Sequence, residues 1–83
     1  MVSKSKVAVA LEAMELGSVV GTSDWLTVDQ PMIDRFGQAT LDPDPMHIDP
    51  EWAKSNGPFG GTIAFGFLTM SLLTHLLHDA MGT

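Results

Sequence analysis

Four residues that can carry acid–base chemistry stand close together near the middle of the chain. Asp42, Asp44, His47 and Asp49 fall within eight positions of a stretch punctuated by prolines. Histidine titrates near neutrality, and a nearby carboxylate can orient it for proton transfer. The stretch therefore offers the groups that general acid–base catalysis needs. The alternative is an acidic surface loop with one solvated histidine, which composition alone favours because such clusters only sometimes mark sites.

A short helix is predicted on each side of this stretch. Asp29 is a suitable N-cap, and Pro31 falls in the first turn of a helix over Pro31–Ala39, where its missing N–H is harmless. That helix is expected to bury Met32, Ile33 and Phe36. Residues 41–50 carry three prolines, which predicts irregular structure. A second short helix is expected over Glu51–Ser55.

The principal helix is predicted near the C-terminal end of the sequence. It follows a glycine-rich turn at residues 56–61 and runs from about Ala64 to Ala80, with Gly82 as its stop. The segment is apolar almost all round, which is typical of a buried helix. The apolar run over residues 63–77 is too short for a bilayer, where about 20 residues are needed.

The N-terminal part predicts a short amphipathic helix over residues 6–16, ended by Gly17. Short extended pieces are expected at residues 18–21 and 24–28, the second because its side chains alternate. The first 17 residues resemble a weak signal peptide, but Glu12 and Glu15 interrupt the apolar run. We therefore expect mature, cytoplasmic protein.

The predicted elements do not enclose the principal helix. One or two strands and two or three helices supply too little sheet to wrap a helix that is apolar all round. We therefore expect an incomplete domain, or one that a partner completes.

The overall charge limits the classes of partner. Four basic and ten acidic side chains give a net charge of −6. Nucleic acids and anionic membrane surfaces are bound by clustered Lys and Arg, so we expect neither as a partner. Cysteine is absent, which excludes disulfides and thiolate metal ligands.

The sequence over residues 36–73, FGQATLDPDPMHIDPEWAKSNGPFGGTIAFGFLTMSLL, resembles the MaoC-like dehydratases, the (R)-specific enoyl-CoA hydratases. Their motif reads approximately F-A-x-x-[TS]-G-D-x-N-P-x-H-x-D-x-x-x-A, then a Gly-rich turn and I-x-H-G-[FM]-L. The resemblance extends back to about Leu16. It implies an α+β hot-dog fold, a long central helix wrapped by an antiparallel sheet. Members run to roughly 150 residues per domain, so residues 1–83 would be the N-terminal part of one domain, without its C-terminal strands.

The resemblance also implies a reaction and site residues. The family adds water to a trans-2-enoyl-CoA thioester to give a (3R)-3-hydroxyacyl-CoA. Asp42 and His47 fall on its catalytic pair, which would hold one water and handle its protons. Gly66 falls on the glycine whose N–H polarises the thioester carbonyl. Thr74 falls where some members place a serine that contacts the catalytic aspartate. No cofactor is implied, since CoA is part of the substrate.

Three residues near the pair depart from the family pattern. Leu41 replaces a glycine, and leucine there costs roughly 1–2 kcal/mol if the backbone has a positive φ. Asp44 replaces an asparagine and adds a negative charge near Asp42. Phe65 replaces the histidine before Gly66. These changes motivate a rival hypothesis, a catalytically silent hot-dog module for acyl-CoA binding or assembly. A hot-dog thioesterase is a third possibility.

The resemblance implies a homodimer, since hot-dog domains pair across a two-fold interface. A metal site is not expected. His75 and His78 share one helix face, but no third ligand follows at helical spacing, and cationic side chains suit a helix C-terminus.

Overall fold

The computed structural model describes residues 5–83, and within that range the chain forms helices and no strand. The first four residues, part of the segment considered above as a signal peptide, lie outside the described range. The helices are α1 (Lys6–Glu12), α2 (Gln30–Ala39), α3 (Pro45–Ile48), α4 (Pro50–Asn56), α5 (Gly66–Ser71) and α6 (Leu73–Met81).

The chain divides into two compact units. Residues 26–73 form one, which contains α2 to α5, and we call it the central unit. Of the described residues, 5–25 and 74–83 form the other, the terminal unit, which contains α1 and nearly all of α6.

The central unit is built on a small apolar core. Ile33 of α2, Phe65 at the N-cap position of α5 and Leu68 within α5 are buried. Burial was predicted for Ile33. The rings of Phe36 and Phe65 lie 5.1 Å apart, centroid to centroid, which is within the range of favourable aromatic pairs. The half-buried residues packed against this core are Val28, Met32, Phe36, Ile48, Ala64 and Leu72. The core therefore joins α2 and α5 to the segment that carries Asp42, Asp44, His47 and Asp49.

Three helices of the central unit begin with the same kind of N-cap, an aspartate followed by a proline in the first turn. Asp29, Asp44 and Asp49 each accept a hydrogen bond from a backbone N–H in the first turn of α2, α3 and α4, at 2.9 to 3.0 Å. A proline stands at the first or second position of each helix, where its missing N–H costs nothing. The prediction of α2 with Asp29 as its cap is confirmed. α4 is also confirmed, one residue longer at each end.

The prediction that residues 41–50 lack regular structure is wrong for α3. Three prolines in ten residues predict irregular structure, but Pro45 stands at the first position of α3, directly after its cap. Proline is tolerated at that position. A single turn of helix therefore carries His47.

The strands predicted at residues 18–21 and 24–28 are also wrong. Neither segment is paired with another strand within the described part of the chain, and the Ser18 N–H donates only to the nearby Glu15 carbonyl, at 3.1 Å, as in a turn. Alternating side chains favour a strand only when a neighbouring strand pairs with it, and residues 5–83 supply none. Trp25 is fully exposed as a result.

The principal helix is two helices rather than one, and it is not buried. α5 ends at Ser71, whose hydroxyl donates to the Leu68 carbonyl at 2.8 Å. Such hydroxyl bonds compete with the helical backbone and bend helices. Leu68 is the one buried residue among the described side chains of α5 and α6. Large apolar side chains of these helices are exposed by more than half, namely Phe67, Met70, Leu73 and Leu77.

Both ends of the terminal unit have identifiable caps. Ser5 accepts from the Ala8 N–H at 3.0 Å, and α1 ends at Glu12, four residues earlier than predicted. Gly82 has a φ of 70° and ends α6, as predicted. The Asp24 N–H donates to the Asp79 carboxylate at 2.7 Å.

None of the helices in the described part of the chain has the length and apolar character of a membrane span.

Candidate functional site

Asp42 is positioned by the C-terminal end of α2. Its N–H donates to the Gly37 carbonyl at 2.9 Å, and the Leu41 N–H donates to Gln38 at 3.3 Å. This pair of bonds is the Schellman motif, which closes a helix through a residue in the left-handed conformation. Leu41 occupies that position with a φ of 58°. A Cβ at Gly37 would come within 2.9 Å of the Asp42 carbonyl oxygen, so only glycine allows this close approach.

The conformation of Leu41 confirms the condition under which leucine was expected to be costly. Its side chain is 89% exposed, so no packing offsets the strain of a positive φ. We expect Leu41→Gly to stabilise the protein by about 0.5–1 kcal/mol, since glycine removes the strain but gains entropy when unfolded. Urea unfolding measures this as a higher midpoint at an unchanged slope.

Leu16 provides the matched control. It is also strongly exposed, but Leu41 is the only residue other than glycine with a positive φ among residues 5–83. Leu16→Gly is therefore expected to give no stabilisation. An equal gain in both variants would show that removal of exposed apolar surface, rather than backbone strain, is the cause.

His47 is half-buried and held on three sides. Its Nδ1 lies 2.8 Å from the carbonyl oxygen of Ile63. Its ring stacks on Phe65, with centroids 4.0 Å apart and planes 26° from parallel. Its own carbonyl oxygen accepts a hydrogen bond from Gln30 Nε2 at 2.8 Å. Phe65 was noted in the sequence only as the loss of a polar group, whereas here it forms a wall for the imidazole.

These contacts determine the tautomer of neutral His47. A carbonyl oxygen is only an acceptor, so Nδ1 must carry the proton in the bond to Ile63. In the neutral ring, Nε2 then has a lone pair and no proton. An imidazole held in this way is ready to accept a proton at Nε2.

A cleft of about 540 Å³ opens beside the Asp42 loop. This volume lies within the range of about 300–1,000 Å³ that is typical of small-molecule sites. Its lining residues are Asp34, Gly37, Gln38, Leu41, Asp42, Pro43 and Ile48. Asp42 thus faces a space that could hold a ligand, with two carboxylates and apolar groups around it.

The structure places Asp42 in the loop before α3 and His47 within α3, and backbone groups link the two residues. The Asp42 carboxylate accepts the Asp44 N–H at 3.3 Å, and the Asp44 carbonyl accepts the His47 N–H at 3.0 Å. No hydrogen bond or ion pair joins the Asp42 carboxylate to the His47 ring within the described residues.

The other two aspartates of the cluster have structural roles. Asp44 caps α3 through the Met46 N–H, and Asp49 caps α4 through the Trp52 N–H. Capping by aspartate contributes about 1 kcal/mol to a helix. Of the three carboxylates in the cluster, Asp42 alone lines the cleft.

Gly66 and Thr74 are both exposed. Gly66 is the first residue of α5, whose N-terminus has no side-chain cap. A Cβ there would meet nothing within 4 Å, so the side of Gly66 on which a side chain would stand is open. Thr74 lies in α6, in the terminal unit, and its predicted contact with Asp42 stays a prediction.

Two polar residues near His47, Gln30 and Thr62, were not predicted from the sequence. Gln30 and Thr62 join α2 to the segment before α5, with the Thr62 hydroxyl 2.6 Å from Gln30 Oε1. Gln30 lies 17 positions from His47 and 32 from Thr62 along the chain, so no local pattern points to these bonds. Within residues 5–83, no three residues of His, Cys, Asp or Glu are grouped so as to hold a metal ion.

Comparison with known proteins gives one family match and several relatives. The family model described as MaoC like domain matches residues 12–83. Nodulation protein N of Rhizobium leguminosarum bv. viciae is 50% identical over 66 residues, which are 80% of this chain and 41% of that protein. The 3-hydroxyacyl-thioester dehydratase Z of Mycobacterium tuberculosis is 48% identical over 72 residues, 87% of this chain and 47% of that protein. The chain thus spans less than half the length of these curated relatives.

Proposed function

Because the chain belongs to the MaoC-like domain family, we propose that it forms part of a hydratase that adds water reversibly to trans-2-enoyl thioesters. The observation that carries the proposal is the geometry of His47. Its Nδ1–H is engaged by Ile63, which leaves Nε2 as a base for water. A relative of nearly 50% identity that is named a 3-hydroxyacyl-thioester dehydratase supports the same chemistry in the reverse direction.

In the proposed reaction, Asp42 and His47 share one water. His47 Nε2 takes a proton from the water as its oxygen attacks the β-carbon of the enoyl group. The pair then delivers a proton to the α-carbon, so the net addition is one water. The cleft beside Asp42, at about 540 Å³, is the proposed site of the acyl group.

Gly66 is the proposed oxyanion donor, since its N–H lies at the uncapped start of α5. Backbone N–H groups in such positions stabilise negative charge that develops on a thioester oxygen. Thr74 is proposed as a substrate-site residue on the strength of the sequence motif alone. The reaction needs no cofactor, because CoA belongs to the substrate.

We also propose that these residues are the N-terminal part of a hot-dog domain that pairs as a homodimer. Support comes from the exposed apolar side chains of α5 and α6, among them Phe67 and Met70 at 78% and 70% exposure. Soluble proteins rarely leave such surface uncovered. A sheet laid over these helices would remove it from water.

The test is a hydration assay on the purified full-length protein. With crotonyl-CoA or a longer trans-2-enoyl-CoA, we expect loss of the absorbance of the conjugated thioester and formation of the (3R)-3-hydroxyacyl product alone. Free thiol, measured with a thiol reagent, is expected to stay at background. Release of CoA would instead identify a thioesterase.

The rival function, binding or assembly without catalysis, is favoured by the strained Leu41 and by the extent of exposed apolar surface. The same samples discriminate it. Acyl-CoA binding measured by calorimetry without any turnover would support the rival and contradict the hydratase.

A further inference from the structure

The side chain of Gln30 is a hydrogen-bond hub beside His47. Its Nε2 lies 2.8 Å from the Asp34 carboxylate and 2.8 Å from the His47 carbonyl oxygen. Its Oε1 accepts the Thr62 hydroxyl at 2.6 Å. The amide has one orientation that fits, because two acceptors face Nε2 and a rotated amide would bring its oxygen against both. Gln30 is thus fixed by three partners from different parts of the central unit.

These bonds hold both ends of the His47–Ile63 contact. On one side Gln30 fixes the backbone of His47. On the other side it fixes Thr62, whose neighbour Ile63 supplies the carbonyl for the imidazole. The Ile63 N–H also donates to the Met46 carbonyl at 3.1 Å. The Gln30 side chain therefore connects His47, which donates the imidazole hydrogen bond, to the segment of Ile63, which accepts it.

Local structure alone cannot hold the imidazole in this way. α3 has four residues, a single turn, and isolated helices of that length are unstable in water. The orientation of His47 must then come from groups outside α3. Phe65 restricts the plane of the ring but does not distinguish its two nitrogens.

We propose that Gln30 and Thr62 are positioning residues that hold His47 with Nδ1 protonated and Nε2 free. The proposal rests on the proposed function only in treating His47 as the base. Neither residue touches the water or the thioester. Their effect reaches the reaction through the backbone of His47 and the Ile63 carbonyl, so it changes the orientation and tautomer of the imidazole rather than substrate binding.

The experiment compares Thr62→Val with Thr62→Ser in the full-length protein. Valine keeps the shape but removes the hydroxyl, and serine restores it. One neutral hydrogen bond is worth about 1 kcal/mol, so we expect Thr62→Val to lower kcat about fivefold to tenfold with KM nearly unchanged. Thr62→Ser is expected to stay within about twofold of the parent, since it restores that bond. Gln30→Met is a second variant that removes the hub itself and is expected to act like Thr62→Val.

Nitrogen-15 shifts of the neutral imidazole give a readout that does not depend on turnover. In the parent protein the His47 signals should show the Nδ1–H form, which is the less common tautomer of free histidine. In Thr62→Val and Gln30→Met they should move towards the Nε2–H form. His75 and His78 are internal references, since both lie in α6 and neither residue is changed in these variants.

Thr40→Val is the matched control, because the Thr40 hydroxyl also donates to a carbonyl, that of Phe36, at 2.8 Å, and neither residue is a hydrogen-bond partner of His47. It should leave both readouts unchanged. An unchanged kcat and tautomer in Thr62→Val and Gln30→Met would overturn the positioning proposal, even if His47 proves essential. An equal loss in Thr40→Val would overturn it too. If the parent shows no hydratase activity, the proposed function fails, and the tautomer measurement still decides the positioning of His47.

Discussion

His47→Gln is expected to lower kcat for enoyl-thioester hydration by about a hundredfold to ten-thousandfold, the range typical of a lost general base. The side-chain amide of glutamine can still donate to the Ile63 carbonyl, which His47 Nδ1 contacts at 2.8 Å. It has no nitrogen that can take a proton from water at neutral pH. The measurement is steady-state kinetics with crotonyl-CoA, with KM expected to change little because the ring is not proposed to bind the acyl chain.

His75→Gln is the control for this prediction. His75 is exposed in α6, and its ring makes no hydrogen bond within the described part of the chain. The same substitution there should leave kcat within about twofold, as expected of a surface change away from any site. An equal kcat in His47→Gln and the parent would show that the reaction, if present, uses another base. Unfolding midpoints of both variants should match the parent, which separates a chemical effect from a structural one.

The elements that sequence predicted well are those with strong local signals. Asp29 and Pro31 mark the start of α2 within three positions of each other, and the apolar periodicity that follows identifies its buried face. Caps and prolines act through neighbouring backbone groups, so they can be interpreted without the rest of the fold. The prediction for α3 was wrong because proline breaks a helix in its interior but is tolerated in the first turn, where Pro45 stands.

The failures concern features that depend on partners distant in sequence. Residues 24–28 alternate as a strand does, yet no other segment among residues 5–83 pairs with them. The apolar character of residues 64–80 predicts burial, but burial needs a covering surface that the described residues do not provide. The sequence motif therefore identifies the family, although the described part of the chain contains no strand of that family's sheet.

The candidate site divides in the same way. The motif singled out Asp42 and His47, and packing added what the motif could not contain. Gln30 and Thr62 lie 32 positions apart, and Phe65 contacts His47 across 18 positions. The caps made by Asp44 and Asp49 were readable from the Asp-Pro pairs, although both residues were grouped with the catalytic candidates. A cluster of like residues thus separates into one carboxylate at the cleft and two that begin helices.

Asp42→Asn is the second variant with a large expected effect. Asparagine is nearly isosteric and can still accept the Asp44 N–H, which Asp42 accepts at 3.3 Å, so the loop should keep its shape. The substitution removes the negative charge beside the cleft, and we expect kcat to fall by about a hundredfold or more. Asp49→Asn is the control, since asparagine caps a helix as well as aspartate does, and its activity should stay near the parent value.

The double variant Asp42→Asn/His47→Gln tests whether the two residues act on one water. Residues that work as a unit are strongly non-additive, so the double variant should lose little more than the more damaged single variant. The free energies derived from kcat in the four proteins give the coupling directly. Additive losses would mean that Asp42 and His47 serve separate steps, and the shared water would then have to be abandoned. Since no direct bond joins the two side chains in the structure, a large coupling would identify the water as the group that connects them.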